Sequence, residues 1–218
     1  MHSHKADRPI TSQIRAVIFD YGDVISLPRD PAVLAEMATI LAVPEDKFRE
    51  SYDFFRHDYD RGSFLPDEYW RRIAERAGVP LKDSDISRLR EADVKMWGRL
   101  NHAILNWAGE LRAAGFKTAV LSNMHHDMIE HIRANGEWAR NFDCLTLSSS
   151  LRMAKPEPAI FKHCLNSLHV EPHESLFLDD REPNVEAAKA VGIWGILAVT
   201  PQQLKANLKA IGFTPLPE

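Results

Sequence analysis

The sequence predicts an α/β protein in which a parallel sheet carries helices on both faces and a block of helices is inserted after the first strand. Two observations support this fold class. From residue 102 onward, short apolar runs alternate with amphipathic helical segments, which is typical of repeated βα units. Between residues 31 and 98, apolar residues recur only at helical spacing, and no run of β-branched residues reaches strand length.

The first predicted strand is the apolar run from residue 16 to residue 19, which ends abruptly on Asp20 and is followed closely by Gly22. Such a strand delivers Asp20 to the carboxyl edge of the sheet, where α/β proteins bind their ligands. Gly22 is expected to let the backbone turn tightly beside it. A carboxylate at that edge can attack an electrophile or hold a cation, although an isolated acid here could equally cap the next turn.

Four helices are predicted in the inserted block, over residues 31–41, 45–59, 66–77 and 83–97. Asp30 and Pro31 supply an N-cap and a first-turn proline for the first of these helices. Breaks containing Gly62 and Gly78 separate the later ones. We therefore expect residues 28–98 to form an all-helical insertion.

Strands and helices alternate in the rest of the chain. Strands are predicted at residues 118–121, 144–147, 175–178 and 196–199, and helices near 102–114, at 125–134, 158–168, around 187 and at 202–211. Residues 14–27 and 99–218 together would then form the α/β core. Residues 1–13 start with a polar run and are expected to be a loose N-terminal tail.

Polar side chains follow three of the predicted strands at the point where each strand ends. Asp20 ends the first, Ser122 and Asn123 end the second, and Asp179 and Asp180 end a later one. Three such ends at one edge of a sheet favour a functional site over simple capping. The two adjacent carboxylates would repel each other unless a cation lies between them and Asp20. Because the acids have no histidine beside them, Mg²⁺ fits better than zinc.

Lys155 lies in a stiff segment just before a predicted helix, because Pro156 and Pro158 both restrict the chain there. A rigidly held ammonium group could bind a phosphate or a pair of carboxylates. A lysine near a helix start is usually a solvated surface charge. Its place in the series of polar strand ends is what makes Lys155 a candidate site residue.

The series as a whole resembles the haloacid dehalogenase superfamily of hydrolases over residues 15 to about 200. Four motifs in order carry this resemblance: Asp20, then Ser122-Asn123, then Lys155-Pro156, then Asp179-Asp180 with Asn184 four residues on. The resemblance implies a Rossmann-like core and identifies residues 28–98 as the helical cap that many members insert after the first strand.

The resemblance also implies roles for the metal-binding side of the site. Asp20 matches the aspartate nucleophile that forms an acyl-phosphate. Asp180 matches the Mg²⁺ ligand, with Asp179 beside it as a further acidic group of the metal site, and Asp20 and the carbonyl of Gly22 complete the ligands. Phosphoryl transfer needs its developing charge neutralised, which a divalent cation would do.

The remaining motif residues are implied to handle the phosphate. Ser122 and the Asn123 amide match the phosphate-binding second motif, and Lys155 matches the lysine that balances charge, so that Ser122 and Lys155 count as both catalytic and substrate-binding. Asn184 matches a polar, supporting position of the fourth motif. Together these residues imply a small phosphorylated substrate.

Gly22 departs from most phosphatases of the superfamily, which carry a second aspartate there as general acid and base. Loss of such help costs about 10²- to 10⁴-fold in rate. The Asp-x-Gly-x-Val pattern resembles a bacterial branch typified by glucose-1-phosphate phosphatase, related to the N-terminal phosphatase domain of soluble epoxide hydrolases. Asp23, His125 and His126 are nearby candidates for the proton transfer, although each is also an ordinary turn or helix-start residue.

Composition narrows the partners and the location. The net charge of −4 without a basic cluster argues against nucleic acid, and no apolar run reaches the roughly 18 residues that a membrane helix needs. The first residues lack the apolar core of a secretory signal. Cys144 and Cys164 have no metal-binding spacing and are expected to be free thiols. We expect a cytoplasmic monomer or homodimer.

Three functions remain open at this point. The first is a Mg²⁺-dependent phosphatase that hydrolyses a small phosphorylated metabolite, with a sugar phosphate as one candidate, through an aspartyl-phosphate intermediate. The second is a metal-free 2-haloacid dehalogenase, for which the resemblance would favour Ser-x-Asn where this chain has Asp179 and Asp180. The third is a non-catalytic relative that binds a phosphorylated ligand, which the glycine at position 22 would suit.

Overall fold

A five-stranded parallel sheet organises the chain in the computed structural model, which describes residues 10–217. The strands are β1 (Ala16–Phe19), β2 (Lys117–Ser122), β3 (Cys144–Leu147), β4 (Ser175–Asp179) and β5 (Trp194–Leu197). Their order in the sheet is β3-β2-β1-β4-β5, and every neighbouring pair is parallel. The predicted α/β class with a parallel sheet is confirmed.

Ten α-helices accompany the sheet within residues 10–217. The first four are α1 (Pro31–Leu41), α2 (Glu45–Arg61), α3 (Pro66–Ala77) and α4 (Asp83–Trp97). The other six are α5 (His102–Ala113), α6 (His126–Asn135), α7 (Ser148–Leu151), α8 (Pro158–Leu168), α9 (Glu182–Ala190) and α10 (Pro201–Ala210).

β1 is the central strand, and its position decides where the polar strand ends meet. Phe19, the last residue of β1, pairs with Val120 of β2 and with Leu178 of β4. All four residues of β1 are buried, as expected for a parallel strand covered on both faces. Because the next residues continue in the same register, Asp20 stands level with Asp179 at the carboxyl edge of the sheet.

Alternate residues of β1 face two separate apolar layers. Val17 and Phe19 belong to a cluster with α5, α6 and α10, where Trp107 of α5 packs edge-on against Phe19 with ring centroids 5.5 Å apart. Ala16 and Ile18 face the opposite cluster, which is built on α8 and α9. The sheet therefore has helices on both faces, as the alternation of strands and helices predicts.

Helices α1 to α4 form a bundle with an apolar cluster of its own, centred on large buried side chains such as Tyr52 and Trp70. The chain enters and leaves the bundle through two adjacent segments that pair at Ser26 and Leu100. Asp30 caps α1 by accepting a hydrogen bond from the Ala32 N–H at 3.0 Å. The predicted helices are present with nearly the predicted bounds, and α2 extends two residues further than the sequence indicates.

The loose tail expected over residues 1–13 is wrong for residues 10–13, which the structure describes. Residues 1–9 lie outside the described residues. Ile10–Ser12 forms a short 3₁₀ helix, and Ile10 is buried in the main apolar cluster. The hydroxyl of Thr11 donates to the Gly212 carbonyl and accepts from the Thr214 N–H. An apolar side chain and these two hydrogen bonds hold the start of the described chain against its end.

Among residues 10–217, no helix combines the length and the apolar character that crossing a membrane requires.

Replacing Gly62 with alanine is expected to destabilise the fold more than the matched replacement of Gly78. Both glycines end a bundle helix with positive φ, +84° and +68°, so alanine is strained at either position by about 1–2 kcal/mol. A Cβ at Gly62 would also lie 2.7 Å from the carbonyl oxygen of Ser149 in α7, whereas at Gly78 no described atom lies within 4 Å. Urea unfolding measures the difference, and equal losses would contradict this close approach of the bundle to the core.

Candidate active site

A buried lysine joins two carboxylates at the carboxyl edge of the sheet. The Lys155 Nζ lies 2.7 Å from Asp20 Oδ1, and it donates to Asp179 Oδ2 at 2.6 Å. Asp20 is 6% exposed, Lys155 2% and Asp179 fully buried. Removing these charges from water is costly unless they are paired, so the three side chains stabilise one another in a fixed arrangement.

Asn123 fixes the position of Lys155. Its side-chain oxygen accepts from the Lys155 N–H at 2.7 Å, and its side-chain NH₂ donates to the Lys155 carbonyl at 2.8 Å. These two hydrogen bonds tie the loop before α8 to the end of β2. The side chain of Asn123 thus positions the lysine, a role that the sequence did not indicate.

Asp179 is fully engaged by its neighbours. Besides Lys155, the Asn184 NH₂ donates to both of its carboxylate oxygens at 3.0 Å, and the Arg181 N–H donates to Oδ1 at 2.9 Å. Asn184, in the first turn of α9, therefore contacts Asp179 directly. This geometry makes Asp179 the anchor for Lys155 and makes Asn184 the support for Asp179.

Asp20, Asp179 and Asp180 each offer a carboxylate oxygen, and these atoms all lie within 4.8 Å of one another. Burial raises the pKa of Asp20 from 3.8 to about 7, with Lys155 opposing the rise and Asp179 adding to it. Burial and repulsion from Asp179 and Asp23 raise the pKa of Asp180 to about 6. One ammonium for three carboxylates leaves excess negative charge, and hard oxygen donors in this arrangement fit a divalent cation such as Mg²⁺.

Gly22 does not have the conformation that the sequence led us to expect. Its φ of −62° and ψ of 131° are open to any residue, and the positive φ of 56° falls on Asp23 instead. A Cβ at position 22 would meet the Trp97 ring at 3.5 Å, an ordinary contact. The tight turn beside Asp20 therefore does not require this glycine, and an absent side chain is what distinguishes position 22.

Ser122 lies at the end of β2 and is 3% exposed. Its hydroxyl makes one long hydrogen bond, 3.4 Å, to the Asn123 carbonyl. Such a weak contact leaves the hydroxyl free to turn towards a ligand in the cavity that Ser122 lines.

A cavity of about 590 Å³ lies between the sheet edge and the helical bundle. Its floor contains six of the predicted site residues: Asp20, Gly22, Ser122, Asn123, Lys155 and Asp180. Asn184 also lines it. The opposite wall is formed by residues of the helical bundle and of the segment just before it: Arg29, Asp53, Arg56, His57, Asp60 and Trp97. The cavity is large enough for a small metabolite and lined mainly by charged and polar groups.

A buried charged network in the bundle was missed by the sequence analysis. Asp93 of α4 accepts from the Tyr52 hydroxyl at 2.6 Å and from Arg56 at 3.0 Å, and Arg56 also binds Asp60 at 2.9 Å. His125, beside the second motif, is fully buried next to Asp93. The available signal was an aspartate within the apolar stripe of α4, between Leu89 and Met96.

This fold and this site define a class, an α/β protein with a cluster of acids and a lysine at the carboxyl edge of a parallel sheet covered by helices. Within that class, the chain belongs to the haloacid dehalogenase-like hydrolase family, whose model matches residues 14–192. The resemblance seen in the four sequence motifs is thereby confirmed.

Two curated relatives and one solved structure illustrate the similarity. The chain is 27% identical to rat (Rattus norvegicus) bifunctional epoxide hydrolase 2 over 224 residues, covering 94% of this chain but only 40% of that protein. It is 26% identical to D-ribitol-5-phosphate phosphatase of Bacteroides thetaiotaomicron over 189 residues, covering 82% of this chain and 89% of the relative. A haloacid dehalogenase family enzyme from the same bacterium, crystallised with magnesium and inorganic phosphate, superimposes with a TM-score of 0.66 at 25% identity, covering 83% and 91% of the two chains.

Replacing Asp20 with asparagine is expected to stabilise the metal-free protein at about pH 8. Because the pKa of Asp20 is raised to about 7, its contribution to stability is fully present below the ordinary value of 3.8 and is lost as pH rises through about 7. Asparagine avoids that loss and lessens the repulsion within the acidic cluster. The gain in melting temperature should therefore shrink towards about pH 4.

The control for this measurement is Glu91→Gln, which removes an exposed acid from the middle of α4. It should leave the melting temperature nearly unchanged across the same pH range. A metal-free Asp20→Asn protein that is less stable than the wild type at about pH 8 would contradict the crowding of charge at this site.

Proposed function

We propose that this chain is a Mg²⁺-dependent phosphatase that hydrolyses a small phosphorylated metabolite, such as a sugar or polyol phosphate, through an aspartyl-phosphate intermediate. One observation carries the proposal. Asp20 is held by Lys155 in the floor of a cavity of metabolite size, with its oxygen within 4.8 Å of oxygens of Asp179 and Asp180. The similarity to D-ribitol-5-phosphate phosphatase supports the choice of substrate class.

Asp20 is the nucleophile in this proposal. Its Oδ1 accepts from the Tyr21 N–H at 2.6 Å and lies 2.7 Å from the Lys155 Nζ. Both contacts fix the carboxylate through Oδ1, which assigns the attack on phosphorus to Oδ2. The P–O bond to the leaving alcohol breaks in that step, and water then hydrolyses the aspartyl phosphate and regenerates Asp20.

Asp20, Asp180 and the carbonyl of Gly22 would hold Mg²⁺, which when bound supplies positive charge for the transferring phosphoryl oxygens. Asp179 is a less suitable ligand than the sequence led us to expect, because its oxygens already accept from Lys155, Asn184 and Arg181. We therefore assign Asp179 and Asn184 to holding the lysine.

Ser122, Asn123 and Lys155 would bind the phosphoryl group. The Ser122 hydroxyl and the Lys155 ammonium provide donors from the cavity floor. The Asn123 side chain is already bonded to the Lys155 main chain. The main-chain N–H of Asn123 would therefore be the group that donates to the phosphate. Three donors around the phosphate would stabilise charge that develops in the transition state.

Residues 28–98 would act as the cap domain over a core of residues 14–27 and 99–218. The two segments that connect them lie side by side, with the Leu27 N–H donating to the Arg99 carbonyl at 2.7 Å. The cap would present charged groups to the leaving group, including Arg29, which binds Asp53 at 2.7 Å. Alternating charges of this kind favour a substrate rich in hydroxyl groups over an apolar one.

The free thiols Cys144 and Cys164 agree with the cytoplasmic location that we propose. A monomer or homodimer is the expected state.

Phosphate release from a panel that includes D-ribitol 5-phosphate and p-nitrophenyl phosphate tests the proposal. We expect turnover with Mg²⁺, its loss with EDTA, and a fall of at least about 10³-fold in Asp20→Asn, because the nucleophile is gone. Glu91→Gln, an exposed substitution outside the cavity, should retain full activity.

The same samples separate the competing functions. Turnover that survives EDTA, or full activity in Asp20→Asn, would contradict the proposal. Chloride release from 2-chloropropionate without metal would identify a dehalogenase, for which the excess of acid beside Asp20 has no use. A melting-temperature shift by phosphate with Mg²⁺ but no phosphate release would identify a binding protein, the function that Gly22 favours.

A further inference from the structure

His125 is the most conspicuous group in the cavity wall that the proposed function does not use. It is 1% exposed, as deeply buried as Lys155, and it lies at the N-terminus of α6. Among the described residues, neither ring nitrogen has a hydrogen-bond partner. Both nitrogens are also shielded from water, so this buried and unpartnered ring in the cavity wall calls for a role.

The imidazole ring is oriented by the helical bundle. It stacks on Tyr59 of α2, with ring centroids 5.1 Å apart and planes 23° from parallel. Its Nε2 lies 3.5 Å from Asp93 Oδ2 of α4. These two contacts place the ring against the helical bundle, with Nε2 as the nitrogen that faces Asp93.

Burial keeps the imidazole ring neutral and ready to accept a proton. Burial lowers the pKa of His125 below 6.5, although Asp93 acts in the opposite direction. Burial alone would raise the pKa of Asp93, yet Arg56 and His125 hold it below its ordinary value, so this carboxylate stays ionised. The titratable or charged groups that face the ring from α2, α4 and α6 are Arg56, Tyr59, Asp60, Asp93 and Asp127.

The reaction proposed above requires a base, which position 22 of this chain does not supply. Hydrolysis of the aspartyl phosphate needs a water molecule to lose a proton as it attacks phosphorus in line with the bond to Asp20. Since Asp20 lies at the sheet edge, that water must approach from the opposite, bundle side of the cavity. Position 22 is glycine and offers no carboxylate there.

We propose that His125, oriented by Asp93, is the general base for the hydrolysis of the aspartyl phosphate. The inference rests on the proposed function. Once the ring turns towards the cavity, the imidazole takes a proton from water, the water oxygen forms a bond to phosphorus, and the bond from phosphorus to Asp20 breaks with its electron pair returning to the carboxylate. The imidazolium that results is balanced by Asp93 and gives its proton to solvent as phosphate leaves.

p-Nitrophenyl phosphate isolates this step, because its leaving group departs without needing a proton. In His125→Gln, we expect a burst of about one p-nitrophenolate per enzyme, followed by a steady rate about 10²- to 10⁴-fold below the wild type, with the phosphoenzyme trapped by acid quench. The matched control is His126→Gln, the exposed neighbour that does not line the cavity, which should behave as the wild type.

The pH profile separates a base from a structural residue. Wild-type kcat should fall on the acidic side as His125 becomes protonated, and that limb should vanish in His125→Gln. Asp93→Asn keeps the imidazole but removes its carboxylate, so the limb should move to lower pH. This second variant provides the test even if His125→Gln does not fold.

Unchanged turnover in His125→Gln, a slow variant without a burst and with the acidic limb retained, or an acidic limb unmoved by Asp93→Asn would each overturn the inference. These results are distinct from failure of the proposed function. That failure would appear in the wild type itself, as absent or metal-independent phosphate release, or as a normal burst in Asp20→Asn.

Discussion

The rest of the structure depends on the ammonium of Lys155, held between Asp20 and Asp179. Three carboxylates within 4.8 Å of one another could not all stay ionised in a buried setting without a positive charge among them. The parallel register of β1 with β4 brings Asp20 and Asp179 level, and Asn123 fixes the lysine from the end of β2. Three strands and one loop thus converge on a single charge, which explains why the sheet edge rather than any surface cleft forms the site.

That lysine balances only part of the negative charge. The raised pKa values of Asp20 and Asp180 show how strongly burial and repulsion disfavour their ionised forms. A nucleophilic carboxylate must nevertheless be ionised to react, so the proposed function needs positive charge beyond Lys155. Stability and reactivity therefore oppose each other at this edge, as is common for residues kept for chemistry rather than for folding.

Sequence reasoning predicted most of the fold because long periodic segments and abrupt polar strand ends are local signals. It identified the sheet, the inserted helices and seven of the residues that line the cavity. It could not predict that the Asn123 side chain holds Lys155, or that Asp93 forms a buried network with Tyr52 and Arg56, since these contacts join residues distant in sequence. It also misjudged Gly22, because a glycine in a turn suggests a positive φ that in fact falls on Asp23.

The arrangement around Gly22 and His125 indicates how chemistry could be divided between the two parts of the fold. In the proposed mechanism, the sheet edge holds the attacking carboxylate and the phosphate-binding groups, while Asp93 and Tyr59 of the bundle contact His125 in the cavity wall. A base held in this way exists only when the bundle is packed against the core. Proton transfer would then depend on the cap being in place, which would couple water activation to closure over the substrate more tightly than a carboxylate at position 22 could.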